Sequence, residues 1–537
     1  MKYIVTLLCF FGVLSAQAQK MPDHLYLRAM RDEMQRSKKE LRMKGGPKPF
    51  FIVYKLTQTE KQQLSSHFGQ AVVNNLQEPQ DLHADVYLYA GTAKSNSSGF
   101  SADKSGSDLG VSYEVNIPKS YDGIRRALWK STNTQYLSAA TLYEKKEAYK
   151  KQKNLEGEEA DFSYAPKTAY VEDIPPFTYR DEAQYQQLLN EITSLRPEIK
   201  HLEKLVAEFT RRQQEIYFLD SEGDFAVYPL QKEFIQVLFT YRSKHGYVIE
   251  EKETFDLDFN APLDKEKLMQ QVRAFYQAAA QRQNFEMAQS YIGPVLLRAQ
   301  GAGRYFNRTF VSAMANTKPL LSSEISLGFS LAVSPFKDRM GLRVISPLFD
   351  VYDRPFAKEY NGQKLSKFTP IDAEGVKPQE LQLIKNGKLM TLPTIRSLIK
   401  DQKQSNGHAR SVNYAPRAAL TNVFFIPKKT MSVAELERLF LEKCKEQEME
   451  YCYIWDDKGD ANSLLERVYT QDGRREWVLG RISGADLRSL RSISAAADDL
   501  QVWQDGGNVV APSIILEELT IDPVFAKPPR KPFVPFP

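Results

Sequence analysis

The chain of 537 residues carries a net charge of +5, with 26% charged and 42% hydrophobic residues, a composition ordinary for a globular protein with real cores. Its basic residues are dispersed among acids rather than gathered on one segment, which argues against a nucleic-acid partner. At about 150 residues per domain the length allows two or three domains.

Lys2, the apolar run IVTLLCFFGVL (4–14) and Ala16-Gln17-Ala18 have the layout of a secretory signal peptide over residues 1–18, with the mature chain starting at Gln19. That run falls short of the roughly 20 apolar residues that span a bilayer. No comparable stretch follows, so the chain is expected to be exported and to have no membrane span once the signal is removed. Of the three cysteines, Cys444 and Cys452 survive cleavage. An oxidising compartment permits a bridge between them, and two buried thiols satisfy the sequence equally well.

Asp23 is placed to cap a helix running to about Met43, ended by Gly45-Gly46-Pro47. FFIVYKL (50–56) and DVYLYAG (85–91) alternate like half-buried strands. A polar loop rich in Ser, Gly and Asp (95–109) follows, and Ser120 opens the next helix. The charged segments 134–154 and 180–214 have helical propensity, with Pro197 as a break. Together they predict a helical hairpin at about 134–214 projecting from a sheet, its charge read as a solvated surface. EIYFLD (215–220) and FAVYPL (225–230) around Ser221-Glu222-Gly223-Asp224 predict a β-hairpin. FIQVLFTY and YVIEEKETFDL around 243–246 predict another. A helix from Asp264 to about Arg282 follows. Further on, Gly301-Ala302-Gly303 reads as a tight turn, and Asn386-Gly387 as a hairpin turn. Ser432 with Glu435 reads as a capping box opening an amphipathic helix at 431–447. The end, FAKPPRKPFVPFP (525–537), reads as an extended proline-rich tail.

Chemistry is hard to find in this sequence. The histidines at 24, 67, 83, 201, 245 and 408 include no pair at the spacing of a helical zinc site. Nucleophile-elbow, phosphate-loop and dinucleotide fingerprints are absent. The acidic stretches 250–258 and 456–460 miss the spacing of a calcium loop.

Several segments taken together resemble the TldD/PmbA family of metallopeptidases, especially its exported Bacteroidetes-type members. In the first half these are GGPKPFFIVYKL, DVYLYAG and SYDGIRRALWKSTNTQYLSAA. In the second they are YIGPVLL, ISPLFDVYDRP, TPIDAEGV with LIKNGKL, NGHARSVNYAPRAALTN, DLQVWQDGG and APSIILEELTI. The resemblance implies an α+β protein: an N-terminal α/β domain (19–289) with the helical hairpin inserted, and a C-terminal, mainly antiparallel β domain (290–524). It also implies a peptide cleft in a periplasmic oligomer of paired paralogues. In that family one paralogue carries an HExxxH zinc motif with a later cysteine ligand and hydrolyses unfolded or short peptides; the other lacks the metal residues.

In this chain the register of the resemblance puts Asn307 and Arg308 at the first His and the Glu, and Ser312 at the second His. Residues 505–508 stand where the cysteine would. No catalytic or metal residue is therefore carried over, and no cofactor is expected in this chain, zinc being expected in a TldD-type partner. Asn406, Gly407, His408 and Arg410 resemble a family loop and are the candidates for lining the peptide cleft, with a structural role for them favoured. The alternatives are a stand-alone peptide-binding protein and a metallopeptidase with other ligands.

Overall fold

The computed structural model describes residues 20–72, 81–102, 112–155, 160–315, 318, 321–322, 334–397, 399, 404–411, 416–458, 463–504 and 508–524. The expected signal peptide and proline-rich tail lie outside them. The N-terminal half is built on strands of unusual length. Pro49–His67 pairs antiparallel with Asp81–Ala90 on one side and with Leu202–Asp220 on the other. Leu202–Asp220 pairs with Phe225–Arg242, and that strand with Val248–Asp256. At about 3.3 Å per residue, a strand of this length reaches about 60 Å, enough to carry two separate helical layers end to end.

Alternation along the strands shows how this works. Tyr217 and Leu219 pack with the helices α1 (Leu25–Glu40) and α2 (Tyr121–Lys153). Leu205, Ala207 and Phe209, an even number of residues away and so on the same face, pack with α3 (Glu182–Leu195) and α4 (Lys265–Arg282). Ile216 and Phe218 point to the opposite face, where Phe162, Phe368 and Ile371 meet them. The α+β class is thus as expected, with helices on one face of a largely antiparallel sheet.

The charged hairpin expected at 134–214 needs correction. Its first helix exists as part of α2, and its second only as α3. Beyond Arg196 and His201, both with positive φ, the chain enters the strand Leu202–Asp220. Neither helix projects: α2 buries Ile124, Leu128, Tyr136 and Ala140, and α3 buries Leu188, Leu189 and Ile192. Not all of the charge is solvated either. Arg211 is buried opposite Glu233 on the neighbouring strand and forms an ion pair with it. Lys146 is buried too, its ammonium donating to the carbonyls of Asn96 and Ser98 and to Asp161. Glu, Lys, Arg and Gln favour helix intrinsically, but cross-strand pairing and burial decide a strand's fate. The first helix differs in detail, being capped by His24 rather than Asp23.

In the C-terminal half, Tyr291–Leu297 lies between Tyr451–Lys458 and Ile514–Pro523. Ser463–Tyr469 and Arg475–Ser483 continue this sheet, and Arg475–Ser483 pairs back onto Ile514–Pro523, closing it on itself. A second sheet runs Lys388–Leu389, Leu381–Lys385, Phe349–Asp353, Asn422–Pro427, Asn508–Ala511 and Gln501–Trp503. Asn386 and Gly387 form the expected hairpin turn, both with positive φ.

Between the sheets lies α5 (Ala299–Phe306), while α6 (Val433–Glu446), with the capping box of Ser432 and Glu435 in place, packs on the first sheet. Gly301 and Gly303 are therefore helical rather than a tight turn. They are small because the helix is pressed against its neighbours: a Cβ on Gly303 would lie 2.4 Å from Trp503 Cβ. Cys444 of α6 is disulfide-bonded to Cys452 on the adjoining strand, with their Cα atoms 6.4 Å apart. Among the described residues no helix is long and apolar enough to cross a membrane.

Candidate functional site

The helix α5 leaves the buried strand Tyr291–Leu297 and continues through a π turn, Asn307–Val311, into a single 3-10 turn, Ser312–Met314. Its inner side is anchored by aromatic packing. The Phe306 ring stacks on Phe425 at 3.8 Å, and Phe310 packs on Phe425 and Phe336. That anchoring turns Asn307, Arg308 and Ser312 outwards, the first half-buried and the other two exposed. π turns within helices are frequent at functional sites. The donor set here does not suit zinc, which takes thiolate, imidazole or carboxylate. Asn307 offers an amide, Arg308 a guanidinium whose charge repels a cation, and the Ser312 hydroxyl donates to the Arg308 carbonyl at 2.5 Å. Zinc does not fit this segment.

The strand Gln501–Trp503, which precedes the positions 505–508 where the resemblance would put the cysteine, lies beside this helix. Gly303 faces Trp503, and Gln300 Nε2 donates to the Val502 carbonyl at 3.2 Å. Residues 505–507 lie outside the described residues. Asn508 is buried, and its amide donates to Asn422 Oδ1 at 2.6 Å.

The other sequence-predicted residues gather in one bonded cluster at the end of the strand Phe349–Asp353. Gly407 and His408 are buried, and Asn406 and Arg410 are partly so. His408 Nδ1 faces Asn406 Oδ1 at 2.9 Å and its Nε2 faces Asp353 Oδ2 at 2.9 Å, so whichever ring nitrogen carries the proton has an acceptor. Asp353 also accepts from the backbone and hydroxyl of Thr421. The Ala409 amide donates to Asp372, whose other oxygen accepts from the amides of Glu374 and Val376. Arg410 donates through Nη1 to the Ala409 carbonyl at 2.8 Å, while its Nε and Nη2 are buried without a hydrogen-bond partner among the described residues. Burial pulls its pKa down, and the nearby Asp372 opposes that.

Sequence reasoning missed the acidic side of this cluster. Burial raises the Asp372 carboxyl, and burial together with the Asp372 charge pushes Glu374 up to about 8. Glu374 Oε2 accepts from the Arg396 amide at 2.6 Å, and its Oε1 has no partner among the described residues. The Arg396 side chain, 1% exposed, reaches the N-terminal half: it forks onto both oxygens of Glu222 at 2.9 and 3.1 Å and lies over Phe162. On that same β-turn burial raises Asp220, with the Asp224 charge adding to it. The signal was available in TPIDAEGV, where two acids sit inside a run that also buries Ile371 and Val376.

Comparison with known proteins fits this geometry. Residues 293–522 match the family model described as PmbA/TldA metallopeptidase C-terminal domain. This C-terminal region belongs to the TldD/PmbA family. The matched region holds both the α5 segment and the 406–410 loop. No curated protein matches the chain.

Solved structures extend the TldD/PmbA fold over nearly all of it. TldE from Thermococcus kodakarensis aligns with a TM-score of 0.56 at 14% identity, over 92% of this chain and 100% of that one. A proposed modulator of a DNA gyrase from Thermotoga maritima aligns at 0.58 and 14% identity, over 92% and 100%. A proposed modulator of DNA gyrase from Bacteroides thetaiotaomicron aligns at 0.55 and 10% identity, over 93% and 98%. At such identities the likeness is one of fold.

Proposed function

We propose that this TldD/PmbA-family chain is a non-catalytic subunit of a periplasmic peptidase complex. With a zinc-bearing TldD-type paralogue it shapes a cleft for unfolded or short peptides, and the zinc belongs to that partner. The observation that carries this reading is the α5 segment. Its helix is kept and its outer face is open, yet the three positions that the family motif would occupy hold Asn307, Arg308 and Ser312. Asn406, Gly407, His408 and Arg410 serve as a brace behind the cleft, because their polar groups are largely committed to Asp353, Asp372 and nearby backbone. The disulfide suits an oxidising compartment, in keeping with export through the N-terminal signal.

The test is zinc content and peptidase activity of the purified mature chain, alone and mixed with its nearest HExxxH-bearing paralogue. Zinc and cleavage that appear only in the mixture, with a co-eluting complex and a rate above that of the paralogue alone, are the expected result. Zinc and cleavage by this chain alone overturn it. Peptide binding that is unchanged by any paralogue selects a stand-alone binding protein instead.

A further inference from the structure

The turn following Ser334 and the turn of residues 486–491 face each other across a cavity of about 380 Å³. Phe336, Val344 and Leu487 line it with apolar surface, and Arg339, Arg488 and Arg491 bring three guanidinium groups to it. Among the described residues none of these three exposed guanidiniums has an ion pair or a side-chain hydrogen bond, so all three are available to a ligand. The single acid in the lining, Asp486, is already engaged: its Oδ1 accepts from the amides of Arg488 and Ser489 at 2.8 and 3.0 Å.

Both walls are pinned to the helix that carries Asn307 and Arg308. Ser334 donates to the Ala313 carbonyl, Phe336 packs on Phe310, and Ser489 shares a hydrogen bond with the Tyr305 hydroxyl. The two walls are also tied to each other, the Ser346 amide donating to the Leu490 carbonyl at 2.9 Å.

We infer that this cavity binds the C-terminal carboxylate of a peptide whose last side chain is apolar. The juxtaposition is specific to that chemistry. Guanidinium groups take a carboxylate through paired hydrogen bonds, and the apolar lining buries the side chain next to it. A bare inorganic anion would use the charge and leave the apolar surface idle. Because the walls are held by backbone and core contacts, binding requires little ordering of the protein. The inference rests on the peptide-handling role above and deepens it: this chain holds the peptide end while the partner supplies the metal.

The test is fluorescence anisotropy on the full mature chain with a labelled octapeptide ending in leucine, as the free acid and as the C-terminal amide. The free acid is expected to bind at least tenfold more tightly, and the R488A/R491A double variant to lose that preference. The R488K/R491K variant keeps the charge without the fork and is expected to recover it only in part. R339A, on the opposite wall, gives an independent second reading. All three arginines are exposed, and circular dichroism checks that each variant is folded. Equal affinity for acid and amide, indifference to the arginine variants, or no binding of either peptide overturns the inference. Displacement of the peptide by inorganic phosphate at the peptide's own concentration also overturns it, since the apolar contact would then contribute nothing. Acid-selective, arginine-dependent binding with no effect of the paralogue leaves this site standing and removes the subunit reading.

Discussion

At His408 both ring nitrogens face acceptors inside a fully buried cluster, and Asp353 depends on that ring for one of its contacts. Breaking a buried pair by removing one partner costs about 3–5 kcal/mol. Thr421 still serves Asp353, so H408A is expected at the lower end, about 3 kcal/mol, measurable by urea denaturation. A change under about 0.5 kcal/mol would show that the cluster contributes no stability. Glu374 makes a different prediction. Its carboxyl is raised from near 4.5 to about 8, first by burial and then by Asp372. The folded state therefore holds a proton that the unfolded chain releases. The stability this group contributes is complete below about pH 4.5 and is lost as pH rises through about 8. E374Q mimics the neutral form. Its denaturation midpoint should match the wild type near pH 5, exceed it at pH 8, and vary less between them. Parallel profiles for the two proteins would show that Glu374 is ionised in the fold.

At the level of the element, α5 illustrates two opposed forces. Replacing a helical glycine with alanine stabilises an exposed helix by about 1 kcal/mol. At Gly303 the added methyl would stand 2.4 Å from Trp503 Cβ, where overpacking costs about 1–3 kcal/mol. The clash is expected to win, so G303A should lower the melting temperature; a rise would show that α5 shifts freely. The same element explains a failure of sequence reading. Gly301-Ala302-Gly303 carries a turn signal, and nothing local says that Trp455 and Trp503 will crowd the helix from two sides. The strand Leu202–Asp220 failed in the same manner, its Glu, Lys and Arg reading as helix until a long partner strand is present. By contrast, the hairpins at 221–224 and 386–387 and the capping box at Ser432 were legible, because a few adjacent residues complete each interaction.

On the scale of the whole molecule, the two halves are joined by buried contacts rather than by a linker alone. Phe368 and Ile371 enter the core on one face of the long sheet, and Leu464 and Leu479 enter the core formed with α3 and α4. Arg396 links the C-terminal half to Glu222, Phe51 and Phe162. Calorimetry of the wild type is accordingly expected to show one cooperative transition. R396A, which leaves Glu222 without its guanidinium partner and removes the packing on Phe51 and Phe162, should cost about 3 kcal/mol and split or broaden that transition. An unaltered single peak would show that cooperativity comes from the apolar contacts alone.

By itself the sequence determined the α+β class, most of the local turns and caps, and the family resemblance, because each rests on short-range pattern or on recognisable segments in order. The unsuitability of residues 307–312 for zinc was legible too, since it is a matter of side-chain chemistry. Only the tertiary structure decided that strands about 60 Å long carry two helical layers, that Lys146 and Arg211 are buried, and that Asp372, Glu374 and Arg396 meet Glu222 and Asp220. It alone decided that three arginines from separated turns converge on one cavity. Those outcomes depend on residues tens to hundreds of positions apart, and their energies come from burial and pairing that exist only once the chain has closed.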